Sequence, residues 1–310
     1  MNKLQTLVAE ELARPVDPQV TAMAAALAAD YPEAARAVLF YGSCLRQREL
    51  DGLMLDFYLI VSDYRDAYGS AWLTLANRMV PPNVFPFEHE GLIAKYAVLS
   101  EADFAREADR LASTVSVWAR FAQPSRLVWA SDGDARSRVV ETVARAAPTL
   151  LNAAAAVAAE TQSSITSLDL WRLGFRLTYD AELRAERTDR STSIVDLDAD
   201  RYLLFTEPAL EHTPLALCER RGVVDLTGLD WRDLAWERQL WPKRRWKGKA
   251  LTLLRLAKAT TTFAGGVDYL AWKINRHAGA GIEVKPWMRR WPILGALTLL
   301  PRLWRGGAIR

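Results

Sequence analysis

Residues 39–61, LFYGSCLRQRELDGLMLDFYLIV, constrain the fold more than any other part of the chain. Residues 37–41 form a short apolar run before a Gly-Ser pair, which predicts a strand that enters a turn. A short helix, the Asp51-Gly52 turn signal and a second strand over residues 55–61 are expected to follow. This order predicts an α+β fold in which both strands belong to a small mixed sheet with helices packed on it.

Apolar periodicity predicts further elements around this segment. We expect helices over residues 4–12, 20–29 and 104–121, and strands over residues 92–99 and 126–130. Beyond residue 134 the pattern predicts helices over 136–159 and 168–187, with short strands at 202–205 and 222–226. We therefore predict an N-terminal α+β domain over 1–134, a mostly helical second domain over 135–240, with a winged-helix-like form as one option, and a basic amphipathic C-terminal region over 241–310.

The Gly-Ser turn has the residues of a phosphate-binding site. Gly42 lets the backbone approach a phosphate closely, Ser43 adds a hydroxyl, and the following helix offers free N–H groups to an anion. Asp56, on the neighbouring strand, is expected to face the same pocket, where a carboxylate can hold Mg²⁺ against triphosphate oxygens. Ser43 and Asp56 are therefore candidate catalytic residues for displacement at a nucleotide α-phosphorus. The alternative is an ordinary α/β turn in which Asp56 caps a strand.

The cysteines and histidines do not predict a second functional site. Cys44 and Cys218 have no paired spacing, so neither a zinc site nor a disulfide framework is predicted, and a reduced, intracellular location fits. The three histidines lie in different regions of the chain without a common spacing, and we expect them to be non-catalytic. They are His89, His212 and His277.

The order of Gly-Ser turn, spacer and strand acid resembles the polymerase-β-like nucleotidyltransferases. The usual second acid, two positions after the first, is Tyr58 here. That departure points to the mitochondrial-type phosphatidate cytidylyltransferases, which the chain resembles over most of its length. The matching segments are Tyr41-Gly42-Ser43, Met54-Leu55-Asp56-Phe57, Ala94-Lys95-Tyr96-Ala97-Val98 and Leu177-Thr178-Tyr179-Asp180-Ala181-Glu182-Leu183-Arg184. The chain departs from the family pattern at Cys44, Ala67, Tyr68, Ala181 and Glu182.

The resemblance implies transfer of CMP from CTP to phosphatidic acid, with Mg²⁺ as cofactor and CDP-diacylglycerol and pyrophosphate as products. A lipid phosphate attacks through an oxygen that is already anionic, so positioning and charge neutralisation are the main requirements. We expect Gly42, Ser43, Lys95, Arg120 and Arg184 to bind the nucleotide and phosphates. Glu182 is expected to join Asp56 as a metal ligand.

The C-terminal region carries an unusual charge. From Trp241 onward there are 15 Lys and Arg against two acids, a balance of +13, which leaves −10 for residues 1–240 of a chain with net charge +3. Six of the 12 tryptophans lie in the same region. Tryptophan prefers the membrane interface and arginine is attracted to anionic lipid. We expect membrane contact through Trp287, Arg289, Arg290, Trp291 and Trp304.

The predicted location is the cytoplasmic side of a membrane, with the protein bound peripherally. The longest apolar run, residues 293–300, is far shorter than the roughly 20 residues of a span, and no signal peptide is recognised. No nucleic-acid module appears, so nucleic acid is not an expected partner. Two other functions stay open: a soluble nucleotidyltransferase acting on a small hydroxylated acceptor, and a non-catalytic membrane-surface protein of the same fold.

Overall fold

A five-stranded mixed sheet forms the N-terminal part of the computed structural model, which describes residues 1–46, 50, 52–182, 194–215, 217–262 and 285–290. Its strands are β1 (Ala35–Tyr41), β2 (Met54–Val61), β3 (Asn83–His89), β4 (Leu92–Ser100) and β5 (Ser125–Ala130), in the order β3-β4-β2-β1-β5. The pair β2–β4 is parallel, and the other pairs are antiparallel. The predicted α+β class with a small mixed sheet is confirmed.

The helices precede, interrupt and follow this sheet. They are α1 (Lys3–Leu12), α2 (Pro18–Ala29), α3 (Tyr64–Ala67), α4 (Ala71–Met79), α5 (Glu101–Ala108), α6 (Trp118–Phe121), α7 (Gly133–Ala144), α8 (Ala146–Ala158), α9 (Ser167–Ala181), α10 (Ala199–Leu210), α11 (Trp231–Thr262) and α12 (Pro286–Arg290). A 3₁₀ turn covers Ser43–Arg46. A second sheet joins β6 (Ser164–Thr166), β7 (Cys218–Arg220) and β8 (Val223–Asp225) in the order β6-β8-β7.

Side chains alternate between the two faces of the larger sheet, and each face has its own core. Phe40 and Phe57 pack with α2 on one face. Leu39 and Tyr58 point to the opposite face, where α8, which is buried along most of its length, belongs to the same core. The second face therefore joins the sheet to the helical part of the chain.

The prediction of one continuous helix over residues 104–121 is wrong, because its middle part is a loop. Helix α5 ends at Ala108, and α6 begins only at Trp118. Asp109 adopts an extended backbone and its carboxylate accepts the Leu111 N–H at 2.9 Å, which starts a loop. Arg244 of α11 then donates to the Arg110 carbonyl oxygen at 2.7 Å. The loop is stabilised by a distant helix, a contact that local periodicity does not reveal.

The strand predicted at 202–205 is also wrong, because these residues lie inside α10. Tyr202, Phe205 and Ala209 are buried at helical spacing, whereas Leu203 is exposed. The strand predicted at 222–226 is confirmed as β8. Strand β3 and helix α4 were not predicted.

The predicted division at residues 134 and 240 stays a prediction. Helix α11 begins before Trp241 and continues through it, and one buried core contains residues from Leu4 to Trp241. Of the helices that the structure describes, none combines the length and the apolar character needed to cross a bilayer.

Candidate active site

Gly42 forms the tight turn at the end of β1. Its φ is +96°, a conformation that residues with a side chain rarely adopt. A Cβ at this position would lie 3.3 Å from Asp56 Oδ2, so a side chain would crowd the carboxylate. Ser43 follows at the start of the 3₁₀ turn and is exposed. The turn therefore places the Gly42 backbone beside Asp56, and the Ser43 hydroxyl belongs to the next residue along the chain.

Asp56 lies on β2 between two neighbours on the same sheet face. Tyr41 of β1 and Lys95 of β4 are its register partners. Lys95 Nζ is 3.1 Å from Asp56 Oδ1, and the two side chains are 33% and 22% exposed. Solvent therefore reaches both charges, and a ligand can contact this ion pair. The structure brings Gly42, Ser43, Asp56 and Lys95 close together, and their roles in binding and catalysis stay predictions.

Tyr58 occupies the position where the second acid of the superfamily pattern would stand. It is 2% exposed, and its ring lies 5.1 Å from that of Tyr41 and 5.3 Å from that of Phe121. This position contributes apolar packing beneath the site instead of a second carboxylate. Cys44, which departs from the family pattern, is also buried: burial raises the pKa of its thiol, and the charge of Asp56 raises it further.

Arg120 of α6 lies close to Tyr41 and Asp56. Its guanidinium donates to the Ser116 carbonyl oxygen at 2.7 Å. Burial alone would lower the pKa of Arg120, but the acidic groups around it raise the pKa above its usual value. In order of effect these groups are Tyr58, Tyr41, Glu182 and Asp56. Arg120 therefore keeps its charge close to both predicted metal-binding carboxylates.

Glu182 ends α9 and is 7% exposed. Its carboxylate accepts a short hydrogen bond from the Ser116 hydroxyl. That hydroxyl also accepts from Arg255 Nη1 of α11, at 2.8 Å. Ser116 thus connects Glu182 to Arg255.

Arg255 is a residue of this cluster that sequence reasoning missed. Besides Ser116, it donates to the Pro81 carbonyl oxygen at 2.7 Å. Burial lowers the pKa of Arg255, and the charge of Glu182 acts in the opposite direction. Its one sequence signal, a position in a basic helix, is shared with many solvent-facing arginines.

The fit of Mg²⁺ to these residues depends on Asp56. Among the residues that the structure describes, no three His, Cys, Asp or Glu side chains form a group that could hold a metal ion. Mg²⁺ is commonly bound by one or two carboxylates together with substrate phosphates and water, so Asp56 fits a metal delivered with a nucleotide. Glu182 contacts Ser116 and is close to two arginines, surroundings typical of a counter-ion. Its role as a metal ligand stays a prediction.

Several predicted contact residues fall wholly or partly outside the described residues. Arg184, Trp291 and Trp304 fall outside the described residues. Arg289 and Arg290 belong to α12, but their side chains are likewise outside the described part of the chain. Trp287 on the same helix is 41% exposed.

The geometry places a Gly-Ser turn and the cations Lys95 and Arg120 close to the strand carboxylate of Asp56. No protein family matches the sequence. No curated protein matches it either. A crystal structure of a nucleotidyltransferase-like protein from Exiguobacterium sibiricum 255-15 aligns with 94% of this chain and 92% of that one, at 13% identity and a TM-score of 0.27. At that TM-score the likeness carries no argument about activity.

Proposed function

We propose that the chain is a nucleotidyltransferase. The observation that carries the proposal is the close approach of the Gly42 turn to Asp56, whose carboxylate oxygen would lie only 3.3 Å from a Cβ added to this positive-φ glycine. A triphosphate bound at the turn would lie against backbone N–H groups and the Ser43 hydroxyl. Asp56 would be within reach of its metal, as nucleotidyl transfer requires.

Each residue of the site has a task in this reaction. Asp56 would hold Mg²⁺, which when bound with the nucleotide neutralises charge on the leaving pyrophosphate. An acceptor oxygen forms the new bond to the α-phosphorus, and the bond from that phosphorus to the bridging oxygen of pyrophosphate breaks. Lys95 and Arg120 supply the positive charge that two approaching phosphate groups need.

For substrates we propose CTP and phosphatidic acid, with CDP-diacylglycerol as the product for phospholipid synthesis. The resemblance of residues 41–43, 54–57 and 94–98 to phosphatidate cytidylyltransferases supports this choice. Tyr58 supports it as well, because an anionic phosphate acceptor needs no second carboxylate to deprotonate it. The basic, Trp-rich C-terminal region would hold the enzyme at the cytoplasmic surface of an anionic membrane.

The test is transfer of labelled nucleotide from each of the four NTPs, with Mg²⁺, to phosphatidic acid in mixed micelles. We expect lipid-linked CMP from CTP alone, and a loss of about a hundredfold or more in Asp56→Asn, because the metal and its charge stabilisation are lost. Glu88→Gln, at an exposed acid on β3, is the matched control and should keep full activity.

Full activity in Asp56→Asn would overturn the mechanism. Transfer to a soluble hydroxylated acceptor, with no lipid product, would move the assignment to a soluble nucleotidyltransferase.

A second candidate is a non-catalytic protein of the same fold. It is favoured by the Asp56–Lys95 ion pair at 3.1 Å, in which a lysine already neutralises the carboxylate. Calorimetry separates the two functions, because a catalytic site binds Mg·CTP, whereas a protein that has lost its site shows no heat of binding with any NTP.

A further inference from the structure

Helix α4 shows its apolar side to solvent. Trp72, Leu75 and Met79 fall at i, i+3 and i+7, which places them on one helix face. They are 63%, 51% and 70% exposed, whereas the buried residues of the helix are Thr74, Ala76 and Asn77. A surface helix normally has the opposite orientation, with its apolar stripe in the core.

Hydrogen bonds explain why the polar side of α4 is buried. Asn77 Nδ2 donates to the Val98 carbonyl oxygen at 3.0 Å, and its side-chain oxygen accepts a short hydrogen bond from the Asn83 N–H. The Thr74 hydroxyl donates to the Tyr64 carbonyl oxygen at 3.1 Å. These bonds satisfy backbone groups of the neighbouring elements, which would be costly to leave unpaired when buried. The outward apolar face is therefore fixed by the fold.

We propose that Trp72, Leu75 and Met79, here called the α4 patch, insert into the interface of an anionic lipid bilayer. Tryptophan with long aliphatic side chains is the composition of surfaces that lie in the headgroup region. The inference deepens the proposed function, since it adds a second contact with the lipid substrate's membrane, separate from residues 287–310.

The charge of α11, which contacts the chain just after α4, matches an anionic surface. Arg255 bonds to the Pro81 carbonyl oxygen, two residues beyond Met79, so α11 contacts the chain at the end of α4. From Trp241 to the end of α11 the sequence has seven Lys and Arg and no acid, and four of these cations, Lys243, Arg245, Lys247 and Lys249, are exposed. Trp246 and Leu254 of the same helix are 76% and 51% exposed. Basic residues close to an anionic membrane strengthen binding to it.

The size of the patch favours lipid over a second protein copy. Three side chains offer a few hundred Å² at most, whereas a stable protein interface buries about 800 Å² on each partner. A bilayer interface can accept a few inserted side chains without a matching surface.

The position of the patch connects it to the candidate site. After α4 the chain passes through Pro81 into β3, and Pro86 of β3 is the register partner of Lys95. Arg255 links Pro81 to Ser116, which bonds to Glu182. Helix α4 is therefore linked to the candidate site both along the chain through β3 and through the hydrogen bonds of Arg255.

The experiment compares binding of the full chain to vesicles of phosphatidylcholine with phosphatidylglycerol and to vesicles of phosphatidylcholine alone. We expect binding to the anionic vesicles, weakened about tenfold or more by the triple variant Trp72→Ser, Leu75→Ser, Met79→Ser. The control is the triple variant Leu197→Ser, Leu203→Ser, Leu204→Ser, which removes leucines of similar exposure and should bind like the unaltered chain. All six side chains are at least 44% exposed, so folding should be unchanged, and circular dichroism checks this.

A fluorescent label provides a direct second measurement. The label NBD is placed at residue 75 by Leu75→Cys with Cys218→Ser, and Cys44 does not compete for the label because it is buried. Its fluorescence should brighten and shift to shorter wavelength with anionic vesicles.

Unchanged vesicle binding in the patch variant, or no response of the label, would overturn the proposal. A self-associated chain that the patch variant dissociates, with vesicle binding unaffected, would assign the patch to a second copy instead. Neither assay needs nucleotide, so failure here and failure of transferase activity are distinguishable.

Discussion

At the scale of single residues, Gly42 meets two separate requirements. Its φ of +96° is accessible to glycine and strained for other residues. Its missing side chain also leaves space for Asp56 Oδ2. Gly52, with φ of +70°, shares the first requirement, but a Cβ added there would have no neighbour within 4 Å. A comparison of Gly42 with Gly52 therefore separates the effect of backbone strain from the effect of crowding the Asp56 carboxylate.

We predict that Gly42→Ala and Gly52→Ala each lower the free energy of unfolding by about 1 kcal/mol or more, because both place a side chain at positive φ. Only Gly42→Ala should also weaken Mg·CTP binding, since its methyl group presses on the Asp56 carboxylate. Urea unfolding measures the first effect and titration calorimetry the second. Equal losses of nucleotide binding in both variants would show that backbone strain, and not crowding of the Asp56 carboxylate, weakens binding.

The candidate site was predictable where it depends on neighbouring strands. Gly42, Ser43 and Asp56 belong to one strand–turn–strand segment, and Lys95 stood out as a cation in an apolar strand. Arg255 was not predictable, because its partner Ser116 lies 139 residues earlier in the chain. Long-range polar contacts of this kind depend on how helices pack, which residue type and spacing do not specify.

At the scale of elements, the sequence predicted long regular segments better than interruptions. The loop between α5 and α6 contains neither proline nor glycine, and its apolar residues continue a helical spacing. Helix α11 stabilises this interruption of the helix. Arg244 donates to the Arg110 carbonyl oxygen, and Lys247 donates to the Ser113 hydroxyl at 2.6 Å. The conformation of the loop and the position of α11 therefore depend on each other. Neither could be predicted from its own stretch of sequence.

Gly248 sets how closely α11 approaches α9. A Cβ at Gly248 would lie 2.3 Å from the Ala181 carbonyl oxygen, an impossible contact with backbone next to Glu182. We predict that Gly248→Ala lowers stability by about 1–3 kcal/mol, despite the better helix propensity of alanine. Because α11 also carries Arg255, the variant should lose transferase activity as well.

The matched control is Gly133→Ala in the first residue of α7, where a Cβ has open space. Thermal unfolding of both variants, with activity measured in parallel, checks the prediction. A gain in melting temperature for Gly248→Ala, like that expected for Gly133→Ala, would mean that α11 does not pack against α9 as described.

At the scale of the whole molecule, the N-terminal helix is tied to the helical part of the chain by two ion pairs of different kinds. Lys3 and Glu207 join α1 to α10 at 2.8 Å, with side chains 57% and 60% exposed. Glu11 and Arg201 join the same helices through two hydrogen bonds, with side chains 4% and 6% exposed. Arg201 also donates to the Ala122 carbonyl oxygen at 3.1 Å, just after α6, the helix of Arg120.

We predict that Glu11→Gln lowers the free energy of unfolding by about 3 kcal/mol, because it leaves the Arg201 charge buried without compensation. Lys3→Ala should leave the free energy of unfolding almost unchanged, since exposed ion pairs contribute little. Both values come from urea unfolding at low salt. The double variant Glu11→Leu, Arg201→Met should recover much of the loss, because an apolar pair of similar volume removes the unpaired charge. If Glu11→Gln were as mild as Lys3→Ala, the buried pair would not be what holds α1, the turn after α6 and α10 together.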